Sequence, residues 1–583
     1  MRTSRFTLAF TTALLFALSQ SFAQTDTIAK PAITCPGRQL PYPRQEPDYN
    51  NKDRRDLAAF TSALAKIQPR LQELEGLVKG KSVTAIQSAL QDGKLSSVEL
   101  VLYYLDRIRR YDIGLLNSVL EINPDLLKIA RAKDKQRRRK KSAGPLHGIP
   151  VLLKDNIATA DKLHSSAGTW ALQSWKPSED AFLVAQLRKS GAIIMGKANM
   201  SEWANYMDPC MPSGFSVRGG QTRNPYGPFD TWGSSSGSAV AVAADLVTIS
   251  VGSETQGSII MPARINSVVG LKPSMGLLSR SGIIPLLEYQ DVPGPFGKTV
   301  ADVAALLSGM TGTDPRDTAT AAGKSAHALD YTKYLDSAAW KNIRIGVPLL
   351  EEADIAALLA NYQGSTPNKA GFQNNLETNR KIQLKAIEAF RAAGMEVVMV
   401  PNKEIPARLT DIGQALQFGF KQDLNQFLSS LGTRAPFPSL EAIIAHNKED
   451  LKNRAPFGQG LLEGSQHTKL TKEAFEEMKK RNIEKGRNGI DSLLSRYNID
   501  VLVSDVNQTY APAGYPALTI PAGYSERGEP QAIILVGTRF SEPALIAAGA
   551  AFEEKTKAWK APDLERTLAE IRKISATPFN SRK

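Results

Sequence analysis

Between Gly148 and Ser504 short apolar runs alternate with segments of helical spacing, and this pattern leaves few folds open to the chain. IPVLL (149–153), AIIM (192–195), LVTISV (246–251), IRIGV (343–347), MEVVMV (395–400) and DVLVS (500–504) have the length and β-branched content of buried strands. SAVAVAADL and NRKIQLKAIEAFRAAG read as helices. Strands that are apolar throughout cannot show one face to water, so helices must cover both faces of their sheet. The expected class is therefore α/β.

Upstream, AIQSALQDGKLSSVELVLYYLDRIRRYD repeats apolar residues every three or four positions, with Ser96 or Ser97 placed to cap a second helix. Pro31, Pro36, Pro41, Pro43 and Pro47 mark an extended arm before it. The first residues have a different character. Arg2 and Arg5 precede an apolar stretch from Phe6 to Leu18, and Ser21, Phe22 and Ala23 are small-residue cleavage positions apart from the phenylalanine. This is the pattern of a secretory signal, cleaved before Gln24. The stretch is too short to span a bilayer, which takes roughly 20 residues. The expectation is a periplasmic or secreted protein with no stable membrane anchor, a monomer or homodimer.

The formal net charge is +14, and RAKDKQRRRKK (131–141) holds eight Lys and Arg against one Asp. No aromatics interleave with these cations, so a solvated helix end and loop is favoured over a nucleic-acid site, and no nucleic-acid partner is expected. The five histidines and two cysteines have no metal-ligand spacing; no metal and no cofactor are expected. Cys35 and Cys210 could pair in an oxidising compartment, and two free thiols fit the sequence as well.

Two motifs fail on context. GSSSG (233–237) matches a nucleophile elbow centred on Ser235, but RNPYGPFDTW before it has two prolines and a glycine where a strand is required. His327, His446 and His467 downstream lie in polar, helical surroundings. GAIIMGKA (191–198) approaches a phosphate-binding loop, but ends in Ala where Ser or Thr should meet magnesium, and its middle reads as a strand. A third stretch, GPLHGIPVLLKDNI (144–157), puts Lys154 at the end of an apolar run. Such a lysine either snorkels to solvent or is desolvated enough to act as a neutral base. Considered alone, Lys154 fits both.

GPLHGIPVLLKDNI together with GSSSGSAVAVAADLVTISVGSETQGSIIMPARINSVVGLKPSMGLLSRSGIIPL closely resembles the amidase signature family. KLSSVELVLYYLDRI and AGYPALTIPAGYSERGEPQAIILVGTRFSEPALIAAGAAFE extend the resemblance from about Lys81 to Ala561. It implies a central mixed sheet with helices on both faces. It implies a serine–serine–lysine triad with Ser258 as nucleophile, Ser234 after a cis peptide as relay, and Lys154 as base. Backbone N–H groups of Thr255, Gln256, Gly257 and Ser258 would form the oxyanion hole. Many family members carry two glycines before the nucleophile; here the first is Gln256. Ser235 is expected to touch substrate. Asp291, in GIIPLLEYQDVPGP, reads equally as a brace for the site and as a turn aspartate.

The implied division is a signal peptide (1–23), an arm with a first helix (24–80), an amidase domain (81–570) with a polar, helix-rich variable segment (about 314–498), and a tail (571–583). The implied activity is ammonia release from a carboxamide, with a small-molecule or short-peptide amide as substrate. GSETQGSI and GIIPLLEYQDVPGP resemble the bacterial peptide amidase branch. The alternatives are a glutamine amidase subunit of a tRNA-dependent amidotransferase, against which the export signal argues, and a catalytically inactive envelope binding protein, against which the intact triad argues.

Overall fold

A computed structural model describes residues 55, 57–142, 144–362 and 366–576. The signal sequence, its cleavage point and Cys35 lie outside the described residues. Thirteen strands are present among the described residues: β1 Val119–Ile122, β2 Pro150–Lys154, β3 Ile193–Ala198, β4 Phe215–Ser216, β5 Gly220–Gln221, β6 Ile249–Glu254, β7 Val269–Lys272, β8 Val292–Gly297, β9 Arg344–Val347, β10 Glu396–Met399, β11 Val501–Val503, β12 Ala517–Tyr524 and β13 Pro530–Val536. β4 and β5 form a small hairpin; the other eleven make one mixed sheet in the order β1-β3-β2-β6-β8-β7-β12-β13-β11-β9-β10.

The expected α/β class with a mixed sheet is the observed one. All six strands read from apolar runs are present, with one displaced by three residues. Leu246, Val247 and Thr248 belong to the turn that leaves the helix Ser236–Ala243, and β6 begins only at Ile249. That turn is buried throughout, so hydrophobicity alone could not separate it from the strand. β8 had no apolar signal because its sequence is VPGPFG. It pairs with β6 along its whole length but with β7 only at Phe296 and Gly297. Pro293 and Pro295 therefore lie where the β7 ladder has already ended, and their missing N–H groups remove no bond there.

The helix Ser97–Tyr111 is closed by a capping box: Ser96 accepts from Glu99 N, and the Glu99 carboxylate accepts from Ser96 N. The basic run continues the helix Leu126–Arg138, and part of it is structural. Asp134 accepts from Ser97 N (2.7 Å) and Val98 N (3.2 Å), and Arg137 donates to His147 O.

Two boundaries move. The segment before Lys81 has two α-helices, Thr61–Ile67 and Leu71–Val78, separated at Gln68–Arg70 where Pro69 interrupts the regular helix. At the other end, position 570 falls inside the helix Leu564–Ala576, whose Ile571 is buried in the core, so a tail cannot start there. The variable segment is helix-rich as expected, but it also supplies β9 and β10, which extend one edge of the sheet.

Candidate active site

β2 and β6 are parallel neighbours, with Val151, Leu152 and Leu153 opposite Ile249, Ser250 and Val251. Their carboxyl ends thus emerge side by side. β2 ends on Lys154, and β6 runs into the turn Thr255–Ser258. Ligands of open α/β sheets bind at such strand ends. The third contributor is the start of the helix Ser236–Ala243, entered through a cis peptide between Gly233 and Ser234. This helix packs close to β6: a Cβ on Gly252 would come within 2.7 Å of Ser235 Oγ and 2.6 Å of the Phe296 ring.

Lys154 is fully buried. Its Nζ donates to Ser234 Oγ (2.8 Å) and to Ser253 O (2.9 Å). Burial pushes its pKa down to about 7, against the opposing charges of Asp291 and Glu254. The snorkelling alternative is therefore closed; this amine is kept from solvent and loses its proton near neutrality.

Ser258 is 6% exposed, and its hydroxyl forms no hydrogen bond among the described residues. Its carbonyl accepts from Ser235 N (3.2 Å), which ties the turn 255–258 to the segment that carries Ser234 into the helix Ser236–Ala243. The backbone N–H groups of Thr255, Gln256, Gly257 and Ser258 likewise donate to nothing among the described residues. Four consecutive unclaimed donors are a ready site for an oxygen that acquires negative charge. Gly257 has φ +76°, and a Cβ there would press on Met261 Cγ (3.1 Å) and the Gln508 amide (3.3 Å), so this position requires glycine.

Several supports were not legible as site residues. The Glu254 carboxylate accepts from Ile259 N (2.7 Å), Ile260 N (3.0 Å) and the Tyr510 hydroxyl (2.9 Å), pinning both ends of the turn. Gln290 Nε2 donates to Thr255 O (3.2 Å), and Asn156 Nδ2 to Ser253 Oγ (2.9 Å). A buried acid just before the turn is a faint signal for Glu254. Nothing local marks Tyr510 or Gln290.

The two readings of Asp291 are now distinguished: its carboxylate accepts from the Thr255 hydroxyl, so it braces the site. Ser235 has a different place from the one expected. It is fully buried, donates to Ser253 O (3.0 Å) and accepts from Ser253 N (3.3 Å), so its hydroxyl ties helix to strand and does not face a substrate. The near phosphate loop is strand β3; Lys197 within it is buried and donates to Ser165 Oγ (2.9 Å) and Ile157 O. Cys210 is disulfide-bonded. Among the described residues no group of three or more His, Cys, Asp or Glu is placed to hold a metal ion.

Residues 99–361 match the family described as Amidase. A probable amidase of Arabidopsis thaliana is 37% identical over 500 residues, covering 83% of this chain and 92% of that protein. The crystal structure of an amidase family protein from Bacillus anthracis superposes with a TM-score of 0.78 at 38% identity, covering 89% of this chain and 100% of the other. Native peptide amidase from Stenotrophomonas maltophilia gives 0.73, also at 38%, covering 84% and 99%.

Proposed function

The chain belongs to the amidase signature family and is an amide hydrolase; from that premise we propose that it releases ammonia from carboxamides through Ser258, Ser234 and Lys154. Ser258 Oγ attacks the carbonyl carbon while its proton passes to Ser234 Oγ and the Ser234 proton to neutral Lys154. The oxygen that becomes negative is received by the N–H groups of residues 255–258. Each such donor is worth about 3–4 kcal/mol of transition-state stabilisation. The relayed proton returns to the departing nitrogen, the C–N bond breaks, and water then clears the acyl group from Ser258. The observation that carries this reading is the Lys154–Ser234 hydrogen bond of 2.8 Å, made by a buried amine.

For substrate, the reading is an amino-acid amide or the C-terminal amide of a short peptide. The resemblance of Gly252–Ile259 to the peptide amidase branch, the structural neighbour of that name and the export signal support it. Ammonia release should be measured on aliphatic amides, aryl amides, amino-acid amides and amidated dipeptides, with anilides and esters as controls. Amino-acid and peptide amides are expected to exceed aliphatic ones. Turnover of anilides or esters alone would remove the peptide-amide assignment.

The signal pattern and the disulfide at Cys210 support export to an oxidising compartment. The exported protein is expected to start at Gln24, which intact-mass spectrometry reads directly; a membrane-bound chain retaining residues 1–23 would contradict it.

A further inference from the structure

Asp291 lies one residue before β8, and Thr255 one residue after β6. The antiparallel register sets Glu254 opposite Val292, so these two residues face each other across the strand pair. One oxygen of Asp291 accepts from the Thr255 hydroxyl; the other accepts from Leu286 N (2.7 Å) and Leu287 N (3.0 Å). The carboxylate thus closes the loop 286–291 and holds Thr255 from it. Gln290 in the same loop grips the Thr255 carbonyl. Thr255 is the first residue of the turn whose four N–H groups are unclaimed.

The same carboxylate acts on Lys154 through space, and so does Glu254. Glu254 is already engaged by Ile259 N, Ile260 N and the Tyr510 hydroxyl. Asp291 in turn feels Asp423, which reaches it from the helix Ile412–Ser430 and accepts from Glu288 N (2.7 Å), and the Arg280 guanidinium, which is paired with Asp317 (2.6 Å). Burial raises Asp291 to about 6, and the three donors it accepts from, the Thr255 hydroxyl and the Leu286 and Leu287 N–H groups, favour its ionised form.

We propose that Asp291 is a positioning residue with two effects: through Thr255 it fixes the turn that presents the N–H donors, and from that place, beside the strand end whose Ser253 carbonyl holds the Lys154 amine, its charge stabilises the ammonium form of Lys154. This rests on Ser258 as nucleophile and Lys154 as base. The two effects respond to different substitutions. Asp291→Asn removes the charge but can still accept from Leu286 and Leu287 N–H. Thr255→Val removes the hydroxyl and with it a bond that favours the ionised carboxylate of Asp291, so its effect is read on the alkaline plateau, where that carboxylate is ionised with or without the bond.

The test is the rate at which a fluorophosphonate labels Ser258, measured against pH, in a reaction where Ser258 Oγ displaces fluoride and no natural substrate need be known. D291N is expected to move the midpoint of the acid limb down by about half to one pH unit, because a nearby negative charge favours the ammonium. T255V is expected to lower the alkaline plateau about tenfold by loosening the oxyanion donors. A D291N midpoint that stays put or rises overturns the charge effect; a T255V plateau equal to that of the parent overturns the brace. Lys154→Ala is the control. If K154A labels at the parent rate, the base assignment itself falls. If K154A is inert while D291N and T255V match the parent, only the inference on Asp291 falls. Thermal melts confirm that each variant is folded, and T255V tests the brace even if D291N is not.

Discussion

Ser258→Ala is expected to lower kcat/KM by about 10⁴-fold or more, on the scale seen when a catalytic serine is removed. Its melting temperature should barely change. The hydroxyl makes no hydrogen bond among the described residues, so its loss leaves no polar group stranded. The backbone of residue 258 would keep its place, since its carbonyl still accepts from Ser235 N. Activity by ammonia release and stability by calorimetry separate the two effects. A variant that melts normally and still turns over amides at a tenth of the parent rate would place the nucleophile elsewhere.

Lys154→Ala is expected to lower kcat/KM by about 10³-fold, within the range for loss of a general base. Unlike Ser258, Lys154 is also a structural donor. Its removal leaves Ser234 Oγ and Ser253 O without the amine, so stability should fall by about 1–3 kcal/mol as well. Lys154→Met fills the space better and distinguishes packing from chemistry. Ser234→Ala should retain more activity than either K154A or S258A, because a water in the vacated space could carry the proton. The parent pH profile gives an independent reading. Lys154 must be neutral to accept a proton, and burial sets it at about 7. The rate kcat/KM should therefore rise through that pH and fall away in acid. A profile flat down to pH 4 would contradict a lysine base even if K154A were inactive.

Much of this was legible before any coordinates. Lys154, Ser234 and Ser258 stand within short motifs, and each strand that supports them has a run of apolar residues. Local sequence could also narrow the cap to Ser96 or Ser97, and the structure chose Ser96, three residues before its Glu99 partner. It could not find β8, whose strand character comes from pairing with β6 and not from the propensity of VPGPFG. Nor could it divide the buried turn 246–248 from the strand that follows, since both are apolar or fully covered.

What the sequence determined by itself was the set of chemical groups and the α/β alternation that carries them. These are local properties: residue identity, spacing and periodicity survive without a partner segment. What the tertiary structure alone decided was the state of those groups. Lys154 is a buried amine and not a surface lysine because β2 and β6 are parallel neighbours and bury it where their ends meet. Asp291 is a brace and not a turn residue because the β6–β8 register carries it to Thr255, 36 positions away in the chain. Ser235 is a tie and not a substrate contact because Gly252 lets its helix press onto β6. Desolvation and hydrogen bonding depend on which atoms surround a group, and for these three residues the surrounding atoms come from distant parts of the chain.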